Sequence, residues 1–184
     1  MVENETYYPI EIAGLHRELK LFEVKPGVRI AILNILGDVE LVEACARSLA
    51  EKLQSVEYDV IVTAEAKSIP IAHSLATVTE KPYVILRKEY KPYMGNAIHS
   101  ETNSITTGKP QNLYLDEKDI ALINHSQVLI LDDVISTGST LEGMRSIVKK
   151  AGGTVAKQAA ILTEGDKAKW ADIVALGHLP VFEG

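Results

Sequence analysis

The chain of 184 residues holds a single cysteine, one tryptophan and two phenylalanines. With one thiol, Cys45, neither an internal disulfide framework nor a thiolate metal cluster can be built. Cys45 lies on the apolar face of a helical pattern, so core packing is its expected role. Positive charge is not in excess either. Nineteen Lys and Arg against 25 Asp and Glu give a formal net charge of −6, which does not suggest a nucleic-acid or anionic-membrane surface. No apolar run approaches the roughly 20 residues of a membrane span. The opening Met1-Val2-Glu3-Asn4-Glu5 is acidic and polar, unlike a signal peptide, so the cytoplasm is the expected compartment. His16, His73, His99, His125 and His178 show no metal-ligand spacing, and no dedicated metal site is expected. No Gly-x-x-x-x-Gly-Lys-Ser/Thr phosphate loop occurs, nor a Ser/His/Asp or Cys/His catalytic pattern.

What is present reads as one domain over 1–184 with a full core, and residues 1–36 as a small lobe on it. Two apolar runs surround Pro26-Gly27 within 6–33 and predict short strands, with an earlier turn at Gly14. Val42, Cys45, Ala46, Leu49, Ala50 and Leu53 recur at helical spacing after Gly37-Asp38. Strands are expected at 59–63, 83–86, 127–132 and 154–162, with a last one near 173–176. A helix is expected at 68–78, where Pro70 is tolerated in the first turn. Leu141, Met144, Ile147, Val148 and Ala151 give another helix its apolar face, and Gly152-Gly153 ends it. This alternation predicts an α/β fold with a mainly parallel sheet flanked by helices. Ligands should then bind at the carboxyl ends of the strands.

The most informative run is Val-Leu-Ile-Leu-Asp-Asp-Val-Ile-Ser-Thr-Gly-Ser-Thr at 128–140. An apolar strand ends in two carboxylates, and a small hydroxyl-rich loop leads into a helix. Unpaired N–H groups and the helix dipole at such a terminus suit a phosphate. Ser136, Thr137, Ser139 and Thr140 offer hydroxyls, and Gly138 lets the backbone turn closely around the anion. Asp132 and Asp133, acceptors only, are placed to hold the hydroxyls of a sugar attached to that phosphate. An ordinary strand with a capped helix, using Ser139-x-x-Glu142 as a capping box, is the plainer alternative. A second strand–loop–helix junction, Glu65-Ala66-Lys67-Ser68, offers another anion site, and Arg87, Lys88 and Lys91 cluster at the next strand end.

The run at 128–140 resembles the signature of the type I phosphoribosyltransferases, most like the adenine or purine enzymes. The resemblance covers most of 37–165. It implies the type I fold with a small N-terminal hood, and transfer of a phosphoribosyl group from phosphoribosyl pyrophosphate (PRPP) to a nucleobase, in purine salvage. It implies that Asp132 and Asp133 bind the ribose hydroxyls and that Ser136, Thr137, Gly138, Ser139 and Thr140 bind the 5′-phosphate. Glu65, Ala66, Lys67, Ser68, Arg87, Lys88 and Lys91 would then serve the pyrophosphate, with Arg87 and the two aspartates as the catalytic set. Mg²⁺ is expected through the substrate's own oxygens. The resemblance also implies a homodimer. Long stretch 93–115, with Ser104–Lys109 at its core, is expected to be a lid that excludes water. Thr106 and Thr107 stand where adenine enzymes often carry an acidic and an aromatic residue. That departure leaves xanthine or guanine open as the base, and also a PRPP-binding regulator without catalysis.

Overall fold

The computed structural model describes residues 6–103 and 110–183. The chain begins with three strands, β1 (Tyr7–Ile12), β2 (Leu15–Lys25) and β3 (Val28–Ile32). Their turns fall at Ala13-Gly14 and Pro26-Gly27, where both glycines have φ between 74° and 79°. Helix α1 (Val39–Lys52) follows, with the Asp38 carboxylate accepting the Leu41 N–H at its start. Then come β4 (Val60–Ala64), α2 (Ile69–Thr79) and β5 (Tyr83–Leu86). An antiparallel ribbon, β6 (Ile98–Asn103) with β7 (Pro110–Leu115), precedes a short α3 (Ile120–Ile123). The remainder is β8 (Gln127–Ile135), α4 (Ser139–Lys150), β9 (Thr154–Glu164), β10 (Val174–Leu179) and β11 (Phe182–Glu183).

Five strands form a sheet in the order β10-β9-β8-β4-β5, and all its pairings are parallel. Every residue of β4 is buried, as a central parallel strand requires. Its alternate side chains divide between two cores. Ile61 joins Leu129, Leu131 and Ile161 under α1 and α2. Val60 and Val62 join Val128 and Ile130 against α4, Leu113 and Leu115. Period-two alternation in a strand covered on both faces produces this division. Cys45 is wholly buried in the first core, and burial pushes its thiol up to about 12, which fits packing and not nucleophilic chemistry.

The N-terminal strands and β11 build a separate antiparallel sheet, β1-β2-β3-β11. Phe182 reaches it from the other end of the described chain and meets Tyr8 edge-on, ring centroids 5.2 Å apart. Arg17 of β2 ties this sheet to the main body. Its guanidinium donates to Asp38 at 2.8 and 3.1 Å and to Glu40 at 2.8 Å.

Three expectations change. The strand carrying the paired carboxylates does not end at them. It runs on to Ile135, because β9 also continues and pairs Val134 with Leu162 and Ile135 with Thr163. The long stretch 93–115 is largely the β6–β7 ribbon, fastened to β5 by Arg87 and Tyr114 through mutual backbone bonds of 2.9 and 2.8 Å. The proposed lid core, Ser104–Lys109, lies outside the described residues. Ser139 does not cap α4: Gly138 holds the cap position with φ 89°, and no side chain caps the helix.

Candidate active site

The C-terminal ends of β4, β5 and β8 lie side by side, so the two loops singled out in the sequence meet there. Ser68 brings them together. It stands at the N-cap position of α2 yet makes no capping bond. Its hydroxyl instead turns to β8, 2.7 Å from Asp132 Oδ1 and 3.0 Å from Asp133 Oδ1, and accepts from the Asp133 N–H at 3.1 Å. A hydroxyl has one proton, so it serves one carboxylate at a time.

Both carboxylates are buried, 9% and 7% exposed, although each is a costly group to desolvate. Burial, and then the neighbouring Asp133 charge, push the Asp132 carboxyl well above the ordinary carboxylate range. Asp133 Oδ2 has no hydrogen-bond partner among the described residues. Lys67 Nζ lies 3.2 Å from it as an ion pair, outside hydrogen-bonding geometry, and donates instead to the Leu33 carbonyl at 3.1 Å. A buried acceptor with an open position is unusual enough to call for a donor from outside.

Beyond β8 the chain turns into α4. Thr137 Oγ1 and Ser139 Oγ are 3.2 Å apart, and the Ser139 N–H points at Thr137 Oγ1 from 3.4 Å. Gly138 is required twice over. Its φ of 89° is left-handed, and a Cβ there would sit 2.8 Å from Trp170 Cη2. The Ser136 hydroxyl is turned away from the loop and donates to Glu164 Oε1 at 2.6 Å. Sequence reading attached no role to Glu164 or Trp170.

On the β5 side, Glu65 receives Arg87 Nε at 2.6 Å and the Lys88 N–H at 2.5 Å. That contact raises the Arg87 guanidinium further above its ordinary value. The Glu65–Ala66 peptide is cis. Arg87, Glu65 and Tyr93 face a cavity of about 470 Å³. Lys88 enters the arrangement through its backbone, and its side chain is exposed. Lys91 pairs with Glu89 at 2.9 Å on the surface. Direct contacts therefore form two groups, Glu65 with Arg87, and Lys67 and Ser68 with Asp132 and Asp133, and the Lys88 and Lys91 ammonium groups make no bond to either among the described residues.

A buried acidic pair joined to a basic loop, beside a glycine-turned helix N-terminus, is what a sugar phosphate with a second anionic group would need. A model of the phosphoribosyl transferase domain family matches residues 33–176. The chain belongs to the phosphoribosyl transferase domain family. Strands β1 and β2 and all of β3 precede the matched region.

Among curated proteins, this phosphoribosyl transferase domain is 36% identical over 153 residues to a hypoxanthine/guanine phosphoribosyltransferase of Methanotorris igneus, covering 83% of this chain and 76% of that protein. It is also 31% identical over 138 residues to the purine biosynthesis transcriptional activator PurR of Lactococcus lactis, covering 75% of this chain. The chain spans about half the length of that regulator, 49%. A crystal structure of adenine phosphoribosyltransferase from Thermoanaerobacter pseudethanolicus superposes with a TM-score of 0.73 at 22% identity, covering 87% of this chain and 95% of that one. At that identity the likeness establishes the type I fold. No helix among the described residues is long and apolar enough to cross a membrane.

Proposed function

We propose that this chain is a purine phosphoribosyltransferase that joins a free base to PRPP and releases pyrophosphate. The observation that carries the proposal is Asp133 Oδ2, buried without a hydrogen-bond donor among the described residues, one loop away from the phosphate-type turn at 136–140. A ribose hydroxyl supplies the missing donor. Asp132 and Asp133 then hold the 2′- and 3′-hydroxyls, and the N–H groups of 137–140 hold the 5′-phosphate.

The reaction forms a bond from a ring nitrogen of the base to C1 of the ribose, breaks the C1–pyrophosphate bond, and releases the proton of the ring N–H to the leaving pyrophosphate or to water. It needs no nucleophile from the protein; orientation and charge neutralisation do the work. Lys67 and Arg87 provide the cations. Lys67, in the loop after β4, reaches the acid pair at Asp133, so it can follow charge as it builds on the departing pyrophosphate. Ser68 and Glu65 act as braces, one for the acid pair and one for Arg87. Mg²⁺ bound to PRPP would supply further neutralisation, held mostly by phosphate oxygens and water. The open Asp133 Oδ2 fits a water of such a hydrated ion as well as a hydroxyl.

The base is assigned to the space between the antiparallel sheet and the start of α1. A cavity of about 650 Å³ lies there, lined by Tyr7, Phe22, Ile32 and Asn34 beside Leu33, the residue whose carbonyl Lys67 contacts. The cavity's aromatic and aliphatic side chains suit the face of a purine, while Arg17, Glu18, Lys20 and Asp38 complete the lining. The N-terminal sheet thus serves as the hood. Likeness to the hypoxanthine/guanine enzymes at 36% identity favours a 6-oxopurine; likeness to adenine enzymes extends to the fold.

A second reading is a PRPP-binding regulator, supported by the match to PurR. Pyrophosphate release from Mg²⁺-PRPP, with adenine, guanine, hypoxanthine and xanthine supplied singly, separates the two. Base-dependent release supports the enzyme. PRPP binding without turnover on any of the four supports the regulator.

A further inference from the structure

The end of β9 and the segment that follows it pack against the 136–140 turn, and two of their polar contacts restrain it, one a hydroxyl and one a backbone carbonyl. Glu164 is 5% exposed, and its carboxylate accepts the Ser136 hydroxyl at 2.6 Å. Trp170 donates its indole N–H to the Glu164 carbonyl at 3.0 Å and lays its ring against Gly138. Lys169 stacks over that ring, 4.4 Å from its centroid, and donates to the Thr137 carbonyl at 2.8 Å.

The last contact has a geometric consequence. In a trans peptide the C=O and the following N–H point in opposite directions. Holding the Thr137 carbonyl outward toward Lys169 therefore turns the Gly138 N–H inward, toward the mouth of the turn. A carbonyl facing an anion would repel it, whereas an N–H binds it. Ser136, its proton committed to Glu164, anchors the loop and leaves the Thr137 and Ser139 hydroxyls to face the ligand.

We propose that Glu164 and Lys169 are positioning residues for the 5′-phosphate: Glu164 fixes the Ser136 hydroxyl, and Lys169 fixes the Thr137 carbonyl so that the Gly138 N–H meets the anion. The inference rests on the phosphate-site reading above. It adds two residues, 28 and 32 positions from the turn residues they hold, that touch neither the ribose acids nor the pyrophosphate loop among the described contacts.

Calorimetry with ribose 5-phosphate tests it. Lys169 is exposed, so Lys169→Met should fold. Its affinity should fall roughly 3- to 10-fold, as expected for one lost hydrogen bond. KM for PRPP should rise by the same factor with kcat within about twofold, because the bond acts in ground and transition states alike. Lys169→Arg should restore both. Glu164→Gln keeps an acceptor for Ser136 and should bind within about twofold of the original chain. Glu164→Ala should weaken binding, and Ser136→Ala should abolish any difference between the Glu164 variants. Unchanged affinity in Lys169→Met, or equal Glu164 effects with and without the Ser136 hydroxyl, would overturn the positioning roles. Failure of the unaltered chain to bind ribose 5-phosphate would overturn the phosphate site itself.

Discussion

Lys67 Nζ lies 3.2 Å from Asp133 Oδ2, and the same ammonium donates to the Leu33 carbonyl. One cation thus connects the loop after β4, the acid pair of β8 and the end of β3. Lys67→Met keeps the length of the side chain and removes the charge. PRPP affinity, measured by calorimetry, should fall about tenfold or more, the scale of one charge-assisted contact. Binding within a factor of two of the original chain would show that Lys67 does not serve the anion.

The buried acid pair should cost stability. Burial and Asp133 raise Asp132 above its ordinary range, so the folded protein keeps a proton that the unfolded chain has lost. The favourable contribution of that proton is fully present below the ordinary carboxylate range and disappears as pH rises through the raised value. Asp132→Asn should therefore be more stable than the original chain at neutral pH, by ~1–2 kcal/mol, with the difference closing toward acid pH. Urea denaturation between acid and neutral pH reads this directly. A variant destabilised at all pH values would contradict it.

Gly138→Ala combines a left-handed backbone, φ 89°, with a Cβ 2.8 Å from Trp170. A cost of roughly 1–3 kcal/mol is expected, together with loss of phosphate affinity as the turn shifts. Thermal unfolding and ribose 5-phosphate binding should both register it. A fully stable, fully binding variant would mean that the turn relaxes freely.

Arg17 holds Asp38 below its usual range. For a lowered carboxylate the stabilising contribution exists above the ordinary range and is lost as pH falls through the lowered value. Arg17→Met should lower the unfolding temperature at neutral pH, and the gap to the original chain should narrow on acidification. Because the pair joins the antiparallel sheet to α1, KM for the base should rise more than KM for PRPP.

Legibility in the sequence followed the range of each signal. Short apolar runs and helical spacing placed the parallel strands, because β4 and the Val128–Leu131 half of β8 are largely apolar. The 128–140 run carried the acids and the turn within a single local string. What escaped was long-range. β11 is two residues long and owes its existence to pairing with β3. Much of the ribbon β6–β7 is polar, with Glu101 opposite Asn112, and apolar alternation is confined to its Leu113–Leu115 end. Glu164 meets Ser136 across 28 positions, and Arg17 meets Asp38 across 21, pairings that no local pattern encodes. Glu65 and Ser68 are expected at the pyrophosphate from the resemblance. The structure joins their side chains to Arg87, 22 positions away, and to Asp132, 64 positions away, partners that leave no local mark in the sequence.

The most direct measurement is calorimetric titration of the chain with Mg²⁺-PRPP, beside the double variant Asp132→Asn with Asp133→Asn. Saturable one-to-one binding by the original chain, lost or weakened at least about a hundredfold in the variant, is the predicted result. Absence of binding by the original chain, or equal binding by a folded variant, would contradict a ribose 5-phosphate site at the end of β8.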